Sequence, residues 1–448
     1  MRFFLSIFCV LFLTIASYAQ KALTLDEAVN IALHKNTILE KAENTIKSYE
    51  SGKLAAIGGF LPGLGARGNF RWERSEQAGG ERLIEGIPTR YPSSISEERG
   101  YSAGIGYDWV LFDGLANFAN LSRSSNDLES AKFNLIRLKQ DIVFQTISLY
   151  YDIVNARQLL KVKDEDVKRF QKNLETATER NRLGAVTLAD VYAQQVQVGN
   201  AELEVIRTQN LFETAKTNLL YYLGLDVLEQ YSFADTLTAE EQNLLDDRIS
   251  QDYTNLAELA RVALESRPDY KGKQLDVESA EDGVTAAWSG HLPSLTNSGE
   301  YSTFATDIDN LFDSKSYSIN LSLNIPIFSG FAVDNRVQQA KVMAENTAVE
   351  LVELEREIKR SIQTTFLDLQ AAEKALQVSE RNVIAAEENR KIEEEKYNLG
   401  SGTILNVLIA NSEYTNAVTN YINSQFAYIV LSEQLKYHIG NLDYTRYE

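Results

Sequence analysis

The sequence predicts a mainly α chain with a β-barrel contribution, built as a tandemly duplicated unit of long coiled-coil helices with four membrane β-strands per chain. Three observations predict it. An offset of 216 lays Leu183-Gly184-Ala185-Val186-Thr187 on Leu399-Gly400-Ser401-Gly402-Thr403, and Phe112-Asp113-Gly114 on Phe328-Ser329-Gly330. Upstream, an offset of 231 lays Leu25 on Leu256 and Leu61-Pro62 on Leu292-Pro293, so the first copy carries an insertion between Pro62 and Gly114. Finally, apolar residues repeat every seven positions in the long segments and every second position in the short ones.

The chain has 448 residues with only 6 Pro and 44% hydrophobic residues, a composition suited to a well-packed helical protein. It opens MRFFLSIFCVLFLTIASYAQ, with Arg2 before an apolar run and small residues at Ser17 and Ala19, so residues 1–19 are expected to be a signal peptide. The only cysteine, Cys9, lies in that run, and the exported chain is expected to carry neither disulfide nor lipid anchor. No later stretch is long and apolar enough to predict a transmembrane helix, so a membrane role requires strands. A formal charge of −19 argues against nucleic acid as a partner.

Residues 20–225 form the first predicted repeat, 226–253 a linker, 254–441 the second repeat and 442–448 a short tail. Each repeat reads helix, strand, loop, strand, very long helix, break, helix. Thr24-Leu25-Asp26-Glu27 and Asn255-Leu256-Ala257-Glu258 announce the first helix of each copy with a capping-box pattern, and a single helix is expected from Thr24 to Ile57. The strands form hairpins over 64–112 and 295–328. In the second, Tyr317, Ile319, Leu321, Leu323, Ile325 and Ile327 alternate with small polar residues. In the first, Tyr101, Ala103, Ile105, Tyr107, Trp109 and Leu111 share a face, and Leu64, Ala66, Phe70 and Trp72 oppose Arg67, Asn69, Arg71 and Glu73. The stretch from Ser75 to Arg99 reads as a solvent-exposed connection.

The long helix, from near Leu115 to Arg182, carries the ladder Leu121, Leu128, Leu135, Ile142, Leu149, echoed at Val337, Ala344, Leu351 and Ile358. Such a heptad repeat predicts coiled-coil packing. At 1.5 Å per residue this helix is about 100 Å long, and the helices flanking it are each about half that, so two short helices match one long one. The breaks at Gly184 and Gly400 are then the ends of helical hairpins. Strands of this length with one apolar, aromatic-bearing face suit a membrane barrel. Four cannot close one, because a closed barrel takes at least about 8, so copies of the chain must contribute jointly.

Together the tandem copies, the Pro62 and Pro293 strand entries, the Phe112-Asp113-Gly114 and Phe328-Ser329-Gly330 exits, and Tyr397-Asn398-Leu399-Gly400 with Thr403 and Val407-Leu408 resemble the TolC-like outer membrane efflux proteins over essentially the whole mature chain. The resemblance implies a homotrimer in the outer membrane of a Gram-negative bacterium, its twelve strands forming one barrel in outer membrane lipid, continued by an α-helical tunnel in the periplasm. It implies a passive exit duct of a tripartite efflux or type I secretion system, joined to a periplasmic adaptor (membrane fusion) protein and an inner-membrane pump. Segment 226–253 is then expected near the tunnel's equator. Gly184, Ala185, Thr187, Gly400, Ser401, Gly402 and Thr403 are expected to be the adaptor-docking tips. Asp190, Tyr397, Asn406 and Ile409 fall at the periplasmic gate. Related ducts carry an acidic pair where this chain has Asn406 and Ile409, and an arginine where it has Gly402, so the gate is expected to lack both an acidic ring and a salt-bridged latch.

No enzyme, cofactor or metal site is expected. Glu393-Glu394-Glu395 reads as a solvated helix face, His34, His291 and His438 lack ligand spacing, and no nucleophile-elbow pattern occurs. A non-conducting, exported coiled-coil scaffold of the periplasm would also explain the heptads and hairpin ends. It would not explain apolar alternating strands at matching places in both copies.

Overall fold

A computed structural model describes residues 21–233, Leu245 and residues 255–447. The expected signal peptide lies outside the described residues, as does most of the 226–253 linker. The chain divides into two compact units, one of residues 1–40, 137–267 and 358–448, the other of residues 41–136 and 268–357.

The element order is β1 (Lys21–Leu23), α1 (Leu25–Lys35), α2 (Thr37–Gly58), β2 (Gly63–Gln77), β3 (Gly80–Ile84), β4 (Ile87–Tyr91), β5 (Ser94–Phe112), α3 (Ala116–Arg182), α4 (Leu188–Tyr222) and β6 (Tyr231–Phe233). The second copy follows with α5 (Leu256–Ser266), α6 (Pro268–Trp288), β7 (Ser294–Ala305), β8 (Lys315–Asn324), α7 (Ala332–Asn398) and α8 (Ile404–Ile439). The long helices α3 and α7 have 67 residues each, about 100 Å by the α-helical rise. Their heptad positions Leu128, Ile142, Val337 and Ile358 are buried, as a packed seam requires.

The single first helix expected in each copy is two helices. In the first copy Asn36 turns extended, and its Oδ1 accepts from Ile38 N at 2.8 Å while Nδ2 donates to the Tyr222 carbonyl at 3.1 Å. Its repeat equivalent, Arg267, precedes Pro268, whose ring disfavours the helical conformation before it and suits the first position of the next helix. Arg267 donates to the carbonyl of His438, the repeat equivalent of Tyr222, at 3.0 Å. Both breaks thus hand a side chain to the orphan carbonyls at the end of a returning helix.

Two strand expectations also change. Ser75 to Arg99 is not a plain loop: β2 and β5 stay paired to Gln77↔Ser94, and β3 and β4 form a hairpin of their own. Cross-strand opposite charge supports the extension, with Arg74 facing Glu97 at 3.1 Å. In the second copy the strand ends at Asn324, short of Ile325 and Ile327, because Pro326 has no N–H to give the ladder and restricts the residue before it.

In the first unit, Ile142, Val143, Ile147 and Ile153 of α3 and Phe426, Ile429 and Leu435 of α8 are buried. The short parallel pair β1–β6 is tied to α3 there, Tyr150 Oη donating to the Leu23 carbonyl and Arg157 to that of Phe233. The tail is small and docked, with Leu442 buried and the Tyr447 carbonyl accepting from Asn30 at 2.7 Å.

Candidate functional site

In the second unit, four strands form one antiparallel sheet in the order β2-β5-β7-β8. Directly paired residues share a face, so the register sorts the side chains. Leu64 and Phe70 of β2 pair with Tyr107 and Tyr101 of β5, Ile105 pairs with Tyr301 of β7, and Gly299 and Tyr301 pair with Ile319 and Tyr317 of β8. That face is apolar and aromatic, and it is open, Ile319 being 81% exposed. The opposite face carries Arg67, Asn69, Arg71, Glu300 and Asn320, with Arg67 ion-paired to Glu300 across the sheet. One greasy wall and one polar wall are what a barrel strand needs between lipid and an aqueous lumen.

A close approach fixes the middle of this sheet. A Cβ on Gly299 would lie 2.3 Å from the ring of Tyr107. The missing side chain lets that ring lie on the β7 backbone and its hydroxyl donate to Asn297 Oδ1 at 2.7 Å. Strands β2 and β8 each have a neighbour on one side only. Long edges of this kind, with unpaired backbone N–H and C=O groups, are templates for further pairing.

In the first unit lie the hairpin ends. Gly184 (φ 77°) and Gly400 (φ 79°) hold the left-handed conformation that closes each long helix, and Ala185 N and Ser401 N reach back to the carbonyls of Arg180 and Lys396 at 2.8 and 2.9 Å. These are Schellman closures. Gly402 N also reaches the Lys396 carbonyl, at 3.0 Å. Thr187 and Thr403 then cap the returning helices. Leu183 and Leu399, equivalent in the two copies, are exposed at these ends.

The positions expected at the gate divide. Asp190 Oδ2 accepts from the backbone and the hydroxyl of Thr187 at 2.9 Å each, completing a capping box. Its repeat equivalent Asn406 does not; Asn406 Nδ2 donates instead to Glu393 Oε2 at 3.3 Å. Ile409, one turn on, is exposed beside it. Tyr397 is held from the other copy. Arg180 donates to the carbonyls of Tyr397 and Asn398, and its guanidinium lies 4.9 Å from the Tyr397 ring centre. Burial first, and the Asp190 carboxylate after it, push the Tyr397 phenol up, while Arg180 pulls it down. Sequence reasoning missed Arg180 and Glu393. Arg180 had one readable signal, a cation in the last turn of a helix, but nothing in its neighbourhood names the other hairpin as its partner.

A four-stranded sheet with a lipid-type and a water-type face, in a chain whose two long helices have 67 residues each, suits the class of channel-wall proteins. The chain belongs to the Outer membrane efflux protein family, which it matches over residues 28–225 and 259–441. It is 23% identical over 351 residues to the outer membrane protein TolC of Vibrio cholerae, covering 76% of this chain and 77% of the relative. Among solved structures it is similar to the outer membrane protein VceC of Vibrio cholerae, with a TM-score of 0.77 at 19% identity over 93% of this chain and 96% of that one. It is also similar to the Campylobacter jejuni CmeC outer membrane channel, with a TM-score of 0.78 at 15% identity over 94% and 88%. The protein is thus an outer-membrane efflux protein of the TolC-like class, located in the outer membrane of a Gram-negative bacterium and extending into the periplasm.

Proposed function

We propose that three copies of this chain close a single barrel and act as the passive, non-catalytic exit duct of a tripartite efflux or type I secretion system. The observation that carries this reading is the open sheet of four strands with one apolar face and two unpaired edges. Three such sheets supply twelve strands, inside the range that closes in an outer membrane, whereas two would give a narrow barrel of eight filled by side chains. A second support lies on α4, where Leu188, Tyr192, Val196, Leu203 and Ile206 make an exposed apolar stripe at heptad-like spacing. A neighbouring copy would cover it. The repeats 20–225 and 254–441 then each supply a strand pair and a helical hairpin, with 226–253 joining them near the equator. The hairpin ends face a periplasmic adaptor protein, behind which stands an inner-membrane pump, and Asn406 and Ile409 narrow the passage.

The test is mass measurement of the detergent-solubilised membrane fraction together with conductance in planar bilayers. Three chains per particle and steady ion conduction are expected. A conducting monomer or dimer would overturn the stoichiometry, and a soluble, non-conducting periplasmic rod would overturn the duct in favour of a scaffold.

A further inference from the structure

A few turns back from the hairpin ends, within the first unit, a cavity of about 390 Å³ lies between α3, α7 and α8. Its lining is cationic. Lys168, Arg169 and Lys172 of α3 and Arg390 of α7 face it, against the single carboxylate of Glu394. The two guanidiniums are already engaged on one side. Arg169 is ion-paired to the buried Asp166, which also accepts from the Thr415 hydroxyl at 2.9 Å, and Arg390 is paired to Glu394 at 3.2 Å. Both lie against the same ring, Tyr414, at 5.3 and 4.7 Å from its centre. Two like charges held this close in a half-dry site disfavour one another, and burial and Arg390 together push the Arg169 pKa down.

After these pairings three buried donor nitrogens of the lining have no hydrogen-bond partner within the chain: Nε of Arg169, Nε of Arg390 and Nδ2 of Asn173. Among the described residues, the one unpartnered buried side-chain atom of this cavity that can accept is the Tyr397 hydroxyl, which can equally donate. Buried polar groups are nearly always satisfied, so this set calls for a partner from outside the chain. Water is a poor fit to the three nitrogens, because a buried water must donate as well as accept and they offer it nothing to donate to. An acceptor-only ligand fits both the donors and the excess positive charge.

We propose that this cavity binds a small inorganic anion. The anion bridges the two copies, touching Arg169 and Asn173 on the long helix of the first and Arg390 and Tyr397 on that of the second. It screens the facing guanidiniums and so tightens the helices next to the hairpin ends. The inference stands on one chain and does not require the trimer.

Crystals of the full mature protein grown in sodium bromide should show an anomalous peak in contact with Arg169 and Arg390, and crystals soaked in phosphate should show tetrahedral density there. Arg390→Met should remove the peak. Should that variant fail to fold, Asn173→Leu should weaken it. In solution, hydrogen exchange of the 390–398 amides should slow saturably as sodium bromide or phosphate is added to the parent protein, and not in Arg390→Met. With the anion at ten times its dissociation constant the protection gained is about tenfold. Ordered waters alone in both crystal forms, exchange indifferent to the anion, or a bromide peak unchanged in Asn173→Leu and Arg390→Met would each overturn the proposal.

Discussion

Arg180 closes the end of a helix to which it does not belong: its two Nη groups donate to the carbonyls of Tyr397 and Asn398, each at 2.9 Å. The last carbonyls of α7 have no partner within their own helix, and a guanidinium's planar fork can satisfy two at once. The equivalent residue of the second copy, Lys396, makes no such reach and pairs with Glu393 at 2.6 Å. The duplication therefore yields one hairpin end that grips and one that is gripped. Removing the grip in Arg180→Ala should cost about 1.5 to 3 kcal/mol locally, the usual worth of hydrogen bonds to a charged group. Hydrogen exchange of the 394–400 amides is the measurement, and Arg180→Lys should recover only part of the protection. Unchanged exchange in Arg180→Ala would show that the contact does not hold the end.

Bulky charge at the hairpin ends should disable docking without disturbing the fold. Bulky charged replacements at Ala185 and Ser401, both exposed, are expected to abolish export while the yield of assembled protein stays normal. Export assays alongside gel migration check this, and export at the parental level would remove these positions from the docking surface.

At the proposed gate, Asn406 already touches Glu393. Trivalent cations added from the periplasmic side of a planar bilayer should block this duct weakly. Asn406→Asp would set a second carboxylate beside the first in each copy, and block should tighten by about tenfold for each 1.4 kcal/mol of added attraction. Asp190→Asn keeps an oxygen to cap Thr187 and should leave the fold intact while removing residual block. Tight block in the parent protein would mean that the constriction lies elsewhere.

In the sheet, Gly299→Val should be severe and Tyr107→Phe mild. Valine would drive Tyr107 off the β7 backbone, an overpacking cost of about 1 to 3 kcal/mol. Phenylalanine loses only the bond to Asn297. The heat-modifiable, assembled band on gels should fall sharply in the first variant and little in the second. Equal assembly in both would show that the ring's position is unimportant.

The sequence carried much of this architecture openly. The duplication was legible because equivalent glycines and threonines recur at one offset, and the faces of β5 and β8 because lipid-type burial forces strict alternation. The extension of β2 and β5 beyond Ser75 was not, since water lies on both faces there and no alternation is imposed. Its hairpin turn at Glu85 and Gly86, both at positive φ, uses a weak version of the usual turn pair. The break at Arg267 had a visible cause in Pro268. The break at Asn36 had only an asparagine, and what fixes it is the carbonyl of Tyr222, 186 residues away. Arg180 was illegible for the same reason: its partners are 217 and 218 residues distant, and no local pattern encodes them.

Around Gly184 and Gly400 a side chain would meet nothing within 4 Å. Only torsion restricts these two sites, at about 1 to 2 kcal/mol for an ordinary residue and less for asparagine, which visits the left-handed region readily. Packed positions elsewhere in the helices must change in concert or not at all. The tips, by contrast, can drift one residue at a time under selection, so a lineage could exchange one partner for another there without ever passing through a misfolded ancestor.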